Sequence, residues 1–140
     1  MPLRVLIIDD EEPFANMLQA MLTRSGYETQ VVNRAQAGLD LLGSETFELV
    51  LCDMKMPQMN GLEFLDAMKE QGLHSTVITM SAFGTIDLAI EALRRGAYDY
   101  ISKPFQRDEV ILALRKAEER ERLRARVAEL ETHVARLDAI

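Results

Sequence analysis

The sequence is poor in the features that define several large protein classes. A single cysteine, Cys52, leaves no internal disulfide and fits a reducing compartment. No basic segment leads into a short apolar stretch, and no apolar run approaches the ~20 residues that span a bilayer. The expectation is a cytoplasmic protein with no membrane partner. Cations are also short: 16 Lys and Arg stand against 23 Asp and Glu, a net charge of −7. That balance disfavours a non-specific nucleic-acid surface, which needs many cations to neutralise phosphates. The deficit is uneven, because residues 115–138 carry +1 and the remainder −8.

What is present is a regular alternation. The 140 residues suffice for one domain with a real core. Five β-rich runs, at 4–8, 28–32, 48–52, 76–80 and 98–101, alternate with five amphipathic ones at 12–24, 34–42, 61–71, 86–95 and 107 onward. Runs one, three and four are almost wholly apolar, as central parallel strands covered on both faces should be. Run two, Glu28-Thr29-Gln30-Val31-Val32, is more polar and suits an edge. Gly26, Gly43, Gly72 and Gly96 are placed to end helices, and Asn33 and Thr85 to start them. Strict alternation implies an α/β fold, a doubly wound parallel five-stranded sheet of the flavodoxin-like (βα)5 type between two helical layers. Sites in such sheets lie at the carboxyl ends of the strands near the point where strand order reverses.

The chemistry-bearing residues fall at those ends. Asp9 and Asp10 follow Val5-Leu6-Ile7-Ile8, Asp53 follows Leu49-Val50-Leu51-Cys52, and Ser81 and Lys103 follow later strand runs. Singly, each reads blandly: an aspartate as a turn former, a lysine as surface, a serine as a turn residue, Cys52 as a small core hydrophobe. Jointly they make a site. Three neighbouring carboxylates repel one another, and a Mg²⁺ ion, which takes oxygen ligands, relieves that repulsion. The Asp53 carboxylate can then act as a nucleophile on a phosphoryl donor. Lys103 would neutralise charge on the transferring group and Ser81 would donate a hydrogen bond to it.

These residues, set in Val-Leu-Ile-Ile-Asp9-Asp10-Glu11, Asp53-Met-Lys-Met-Pro57-Gln-Met-Asn-Gly61, Thr-Met-Ser81-Ala82 and Tyr100-Ile-Ser-Lys103-Pro104-Phe105, resemble the receiver domain of bacterial two-component response regulators over about residues 3–117. The resemblance implies a phosphoacceptor signalling module, not an enzyme beyond self-catalysed phosphorylation and dephosphorylation. It implies Asp53 as phosphoacceptor and a sensor histidine kinase as donor. Asp10 and Asp53 would ligate Mg²⁺ through side chains, Lys55 through its backbone carbonyl, and Asp9 through a water. Ser81 and Tyr100 would be the switch pair and Lys103 the phosphoryl contact. The family usually has a cis peptide before the residue corresponding to Pro104. Ala82-Phe83-Gly84-Thr85 and Arg95-Gly-Ala-Tyr-Asp-Tyr are similar to receivers of NtrC-type sigma-54-dependent activators. There the output is transcription activation through an AAA+ ATPase followed by a DNA-binding module, neither of which is in this chain.

After Ala117 the composition becomes charged, and Leu123, Val127, Leu130, Val134 and Leu137 recur at alternating spacings of four and three. That is a heptad seam with Val at a and Leu at d, the choice that favours parallel two-stranded coils. The expected organisation is a receiver at 1–117 and a coiled-coil linker at 118–140. The seam stops mid-heptad, so an output domain is expected to follow in a longer protein, and the chain is expected to be a homodimer.

Three other readings fit the architecture less well. A flavodoxin-like FMN binder needs a phosphate-cradling first loop, and Asp9-Asp10-Glu11-Glu12 would repel phosphate. A haloacid-dehalogenase-type phosphatase wants an aspartate two residues after its nucleophile, where Lys55 stands. A pseudo-receiver, acting purely by protein interaction, would not keep the full acidic set.

Overall fold

The computed structural model describes residues 3–82 and 86–139. Five strands alternate with five helices: β1 Arg4–Ile8, α1 Glu12–Arg24, β2 Glu28–Val32, α2 Ala35–Ser44, β3 Leu49–Asp53, α3 Gly61–Glu70, β4 Thr76–Ala82, α4 Ile86–Arg94, β5 Asp99–Lys103 and α5 Arg107–Asp138. All pairings are parallel, in the order β2-β1-β3-β4-β5. The polar run does form an edge, and the three apolar runs are central. Strand order reverses between β1 and β3, so the crevice at their carboxyl ends is the topological switch point.

Alternation along the strands divides the core in two. Val5, Ile7, Leu49, Leu51, Ile78 and Met80 face α1 and α5. Leu6, Ile8, Val50, Cys52 and Val77 face α2, α3 and α4. β1 and β3 are buried along nearly their whole length, which requires apolar residues at successive positions.

Three strand ends differ from the simple run boundaries. β3 includes Asp53, and β4 and β5 continue through Ala82 and Lys103, because the ladder persists with Ser81 opposite Ser102 and Ala82 opposite Lys103. Gly26, Gly72 and Gly96 sit at φ of 96°, 69° and 111° just past their helices, as expected. Gly43 does not: α2 runs past it to Ser44, and Glu45 caps in extended backbone. Asn33 is not the N-cap of α2 either. Arg34 takes that place in extended conformation without a side-chain cap bond. The expected cap Thr85, with Phe83 and Gly84 of the quoted motif, lies outside the described residues.

Gly61 is required by close approach. A Cβ there would lie 2.8 Å from the Met54 Cα and 3.1 Å from the Asp53 carbonyl oxygen. Its absence lets α3 start directly against the end of β3, where Gly61 N–H donates to the Met54 carbonyl at 3.0 Å. Asn60 caps this helix reciprocally, its side chain accepting from Glu63 N–H at 2.9 Å while Glu63 accepts from Asn60 N–H at 3.1 Å.

α5 has two regimes. Val110, Ala113, Leu114 and Ala117 are buried against the sheet. The next turns are held by polar bonds at the opposite end of the sheet from Asp53. Tyr27 hydroxyl donates to Glu118 at 3.1 Å, the Thr76 hydroxyl meets Glu121, and Arg124 reaches the His74 carbonyl at 3.3 Å. Beyond Arg124 the helix is exposed, and Leu123, Val127, Leu130, Val134 and Leu137 are 52–57% exposed along it.

Candidate functional site

The site forms where β1, β3 and β5 end. Asp9 follows β1 and is fixed by its own N–H, which donates to the Val32 carbonyl at 3.1 Å. Its carboxylate is occupied on both oxygens: Oδ1 accepts from Glu11 N–H at 2.9 Å and Oδ2 from Lys103 Nζ at 2.8 Å. Asp53, the last residue of β3, directs its carboxylate into the same hollow with its side chain 5% exposed. Asp10 lies at the exposed rim. One oxygen from each of Asp9, Asp10 and Asp53 lies within 4.8 Å of the others.

Lys103 is the counter-charge. Its side chain is 8% exposed, and its Nζ stands 3.7 Å from Asp53 Oδ1 and 3.7 Å from Glu11 Oε1 besides its bond to Asp9. The Lys103–Pro104 peptide is cis. The same ammonium lies 4.0 Å from the centre of the Phe14 ring. Phe105 packs edge-on against that ring, with centroids 5.6 Å apart at 76°.

The electrostatics follow from this geometry. Burial pushes the Asp53 carboxyl up to about 6, opposed first by the Lys103 charge, then reinforced by Asp9. The Lys55 backbone N–H bonds the carboxylate and lowers it slightly, and Asp10 raises it. Asp53 is therefore a carboxylate short of positive charge. The donor set is entirely hard oxygen, which suits Mg²⁺. Asp9, Asp10 and Asp53 are the described residues that would hold such an ion, and it would offset the repulsion among their carboxylates. Neighbouring Cys52 is inert by comparison. Burial first, then the charges of Asp53 and Asp9, drives its thiol far above the ordinary range.

Ser81 and Tyr100 share one face of the sheet, since Thr79 pairs with Tyr100 and Ser81 with Ser102. Ser81 is fully buried, its hydroxyl donating to the Ala82 carbonyl at 3.2 Å. The Tyr100 hydroxyl is buried and has no hydrogen-bond partner among the described residues. Lys55 has an exposed side chain, and its backbone bonds the Asp53 carboxylate. The five seam residues of α5 lie away from this site, on the distal half of the helix.

The sequence pattern passed over three site residues: Glu11, Phe14 and Phe105. Glu11 and Phe105 stand within the quoted motifs, but the pattern gives them no role of their own at the site. Phe14, in the first turn of α1, reads from sequence as an ordinary apolar position on a helix.

Among the described residues, no helix is long and apolar enough to cross a membrane. A response regulator receiver domain model matches residues 5–115. The regulatory protein AtoC of Escherichia coli K12 is 38% identical over 114 residues, covering 81% of this chain and 25% of AtoC. A putative NtrX-like response regulator of Rickettsia bellii is 34% identical over 132 residues, 93% of this chain and 28% of that protein. This chain thus spans about a quarter of the length of these relatives. Among solved structures, NtrX from Brucella abortus superimposes with a TM-score of 0.86 at 33% identity, covering 93% of this chain and 30% of that one. FixJ-N superimposes with a TM-score of 0.80 at 32% identity, covering 85% and 95%.

Proposed function

The chain belongs to the response regulator receiver domain family, and from that premise we propose that Asp53 accepts a phosphoryl group from a sensor histidine kinase in a Mg²⁺-dependent reaction. The observation that carries this reading is a buried Asp53 carboxylate set 3.7 Å from Lys103 Nζ and grouped with oxygens of Asp9 and Asp10. An Asp53 oxygen attacks phosphorus, the bond from phosphorus to the donor's imidazole nitrogen breaks, and that nitrogen keeps the electron pair and is protonated by solvent. Asp9, Asp10 and Asp53, with the Lys55 carbonyl, would hold the metal, Asp9 through a water. Mg²⁺ bound there supplies positive charge to the phosphoryl oxygens. Lys103, already beside Asp53, neutralises charge on the same group.

The output runs through Ser81 and Tyr100. A phosphoryl oxygen offers the Ser81 hydroxyl a stronger partner than the Ala82 carbonyl it now bonds. Movement of Ser81 changes the space beside Tyr100, whose hydroxyl is buried without a partner among the described residues and so gains by any change that gives it one. This is a population shift between two arrangements of the face made by α4, β5 and α5.

The exposed stripe from Leu123 to Leu137 serves as a dimer seam. Exposed Ile90 and Leu93 on α4 offer a second apolar patch for a partner chain. Ala97 is buried and Arg95 is bonded to Asp66 and Glu91, so neither is free to join it. A cross-chain pair of Glu119 with Arg124 along the seam competes with the pairs these residues already make within the chain, to Arg122 and Glu121, which leaves the later heptads to set register. By similarity to the longer relatives, the linker leads to an output domain, of the sigma-54-dependent ATPase type. The test of the reading as a whole is transfer of label from acetyl phosphate to wild type but not to Asp53→Asn, abolished by EDTA.

A further inference from the structure

The site contains one arrangement that phosphoryl acceptance alone does not call for. The Lys103 ammonium sits over the face of the Phe14 ring at 4.0 Å, and Phe105, two residues beyond Lys103, buttresses that ring edge-on. Lysine brings a strongly hydrated charge on a flexible four-carbon stem. Here three carboxylates compete for it. Asp9 holds it at 2.8 Å, Asp53 stands at 3.7 Å, and Glu11, with a side chain 65% exposed, stands at 3.7 Å toward solvent. Carboxylates alone would let the ammonium swing outward to Glu11 and water. An aromatic face attracts the cation without bonding it in one direction. It therefore keeps Nζ desolvated while leaving it able to turn from Asp9 to a phosphoryl oxygen on Asp53.

We infer that Phe14 is a positioning residue, whose ring holds the Lys103 ammonium buried beside the phosphoacceptor and keeps it from swinging further toward Glu11 and solvent. The inference rests on the phosphoacceptor reading of Asp53, and adds to it an aromatic platform contributed by α1. Phe105 acts behind Phe14: Lys103, the Phe14 ring and the Phe105 ring form a closed chain of contacts that returns to the turn carrying the lysine. Leucine at position 14 would keep the apolar volume and lose the ring face. Tyrosine would keep both.

The test measures the rate constant of Asp53 labelling by acetyl phosphate at saturating Mg²⁺ in wild type, Phe14→Leu and Phe14→Tyr. It is joined by NMR of the Lys103 ε-methylene in the unphosphorylated, EDTA-treated proteins. Expected is a threefold to tenfold slower rate in Phe14→Leu, with Phe14→Tyr within twofold of wild type. The Lys103 ε-methylene resonance should lie upfield from the ring current in wild type and Phe14→Tyr, and return toward the other lysines in Phe14→Leu. Amide spectra that retain wild-type dispersion show that each variant is folded. Wild-type labelling rates in Phe14→Leu, or a Lys103 resonance unmoved by losing the ring, would overturn this inference alone. Absence of label on the wild-type protein would instead sink the phosphoacceptor reading and take the inference with it.

Discussion

Replacing Asp53 by asparagine should stabilise the metal-free fold while abolishing its chemistry. The native Asp53 carboxyl is raised to about 6 from 3.8, chiefly by burial. A shift of about two units corresponds to about 3 kcal/mol at 1.36 kcal/mol per unit. The sign follows from linkage. Below the unfolded value both states hold the proton and the group has no effect. As pH rises from 3.8 toward 6 the unfolded chain ionises freely while the buried native carboxyl keeps its proton, so stability falls over that window and the loss is complete above about 6. Asparagine is the neutral isostere and carries no such cost. Lys103 does not become an orphan, because Asp9 still holds it at 2.8 Å. In EDTA at pH 7.5, Asp53→Asn should therefore melt higher than wild type by up to about 10 °C, at roughly 3–4 °C per kcal/mol for a domain of this size. The gap should shrink to roughly 1.5 kcal/mol at pH 5 and about 0.5 kcal/mol at pH 4. Differential scanning calorimetry at matched concentration is the assay, because the proposed dimer would make Tm concentration-dependent. Saturating Mg²⁺ should raise wild type more than the variant. An Asp53→Asn protein less stable than wild type at pH 7.5, or a gap that does not narrow on acidification, would refute the electrostatic account.

Two further outcomes test the output path. Ser81→Ala should still take label on Asp53 but should not transmit it. Its NMR shifts on the face of α4, β5 and α5 should stay well below those of phosphorylated wild type, and shifts of equal size would remove Ser81 from the switch. Leu130→Asp places a charge in the seam and should weaken the dimer without changing labelling. A seam of five apolar residues per chain contributes only a few kcal/mol at ~25 cal/mol per Å², so one buried charge is enough to matter. Analytical ultracentrifugation at tens of micromolar reads this directly, and either a monomeric wild type or an unaffected variant would exclude the coil.

The sheet order was legible because burial on both faces demands a distinctive residue pattern. Val5-Leu6-Ile7-Ile8 and Leu49-Val50-Leu51-Cys52 admit no other placement in an α/β alternation, and Glu28-Thr29-Gln30 cannot be central. Helix stops at Gly26, Gly72 and Gly96 were legible for a similar reason, since positive φ selects glycine. Gly43 and Asn33 misled because a cap is set by local geometry as much as by residue type, and α2 gains one more residue while Arg34 takes the cap place. The grouping of Asp9, Asp10, Asp53 and Lys103 followed from topology alone. The Phe14 contact did not. Its position depends on where the first turn of α1 passes over the end of β5, 89 residues away in sequence, and nothing local encodes that. The docking of Glu118, Glu121 and Arg124 on the base of the sheet was equally hidden, because charged residues beyond Ala117 read as a solvated helix.

The most direct test of the central proposal is intact-mass spectrometry after incubation with acetyl phosphate and Mg²⁺. The account predicts a single added phosphoryl group on wild type, lost with EDTA, absent from Asp53→Asn, and discharged by hydroxylamine as an acyl phosphate must be. Equal labelling of Asp53→Asn, or labelling indifferent to Mg²⁺, would contradict it.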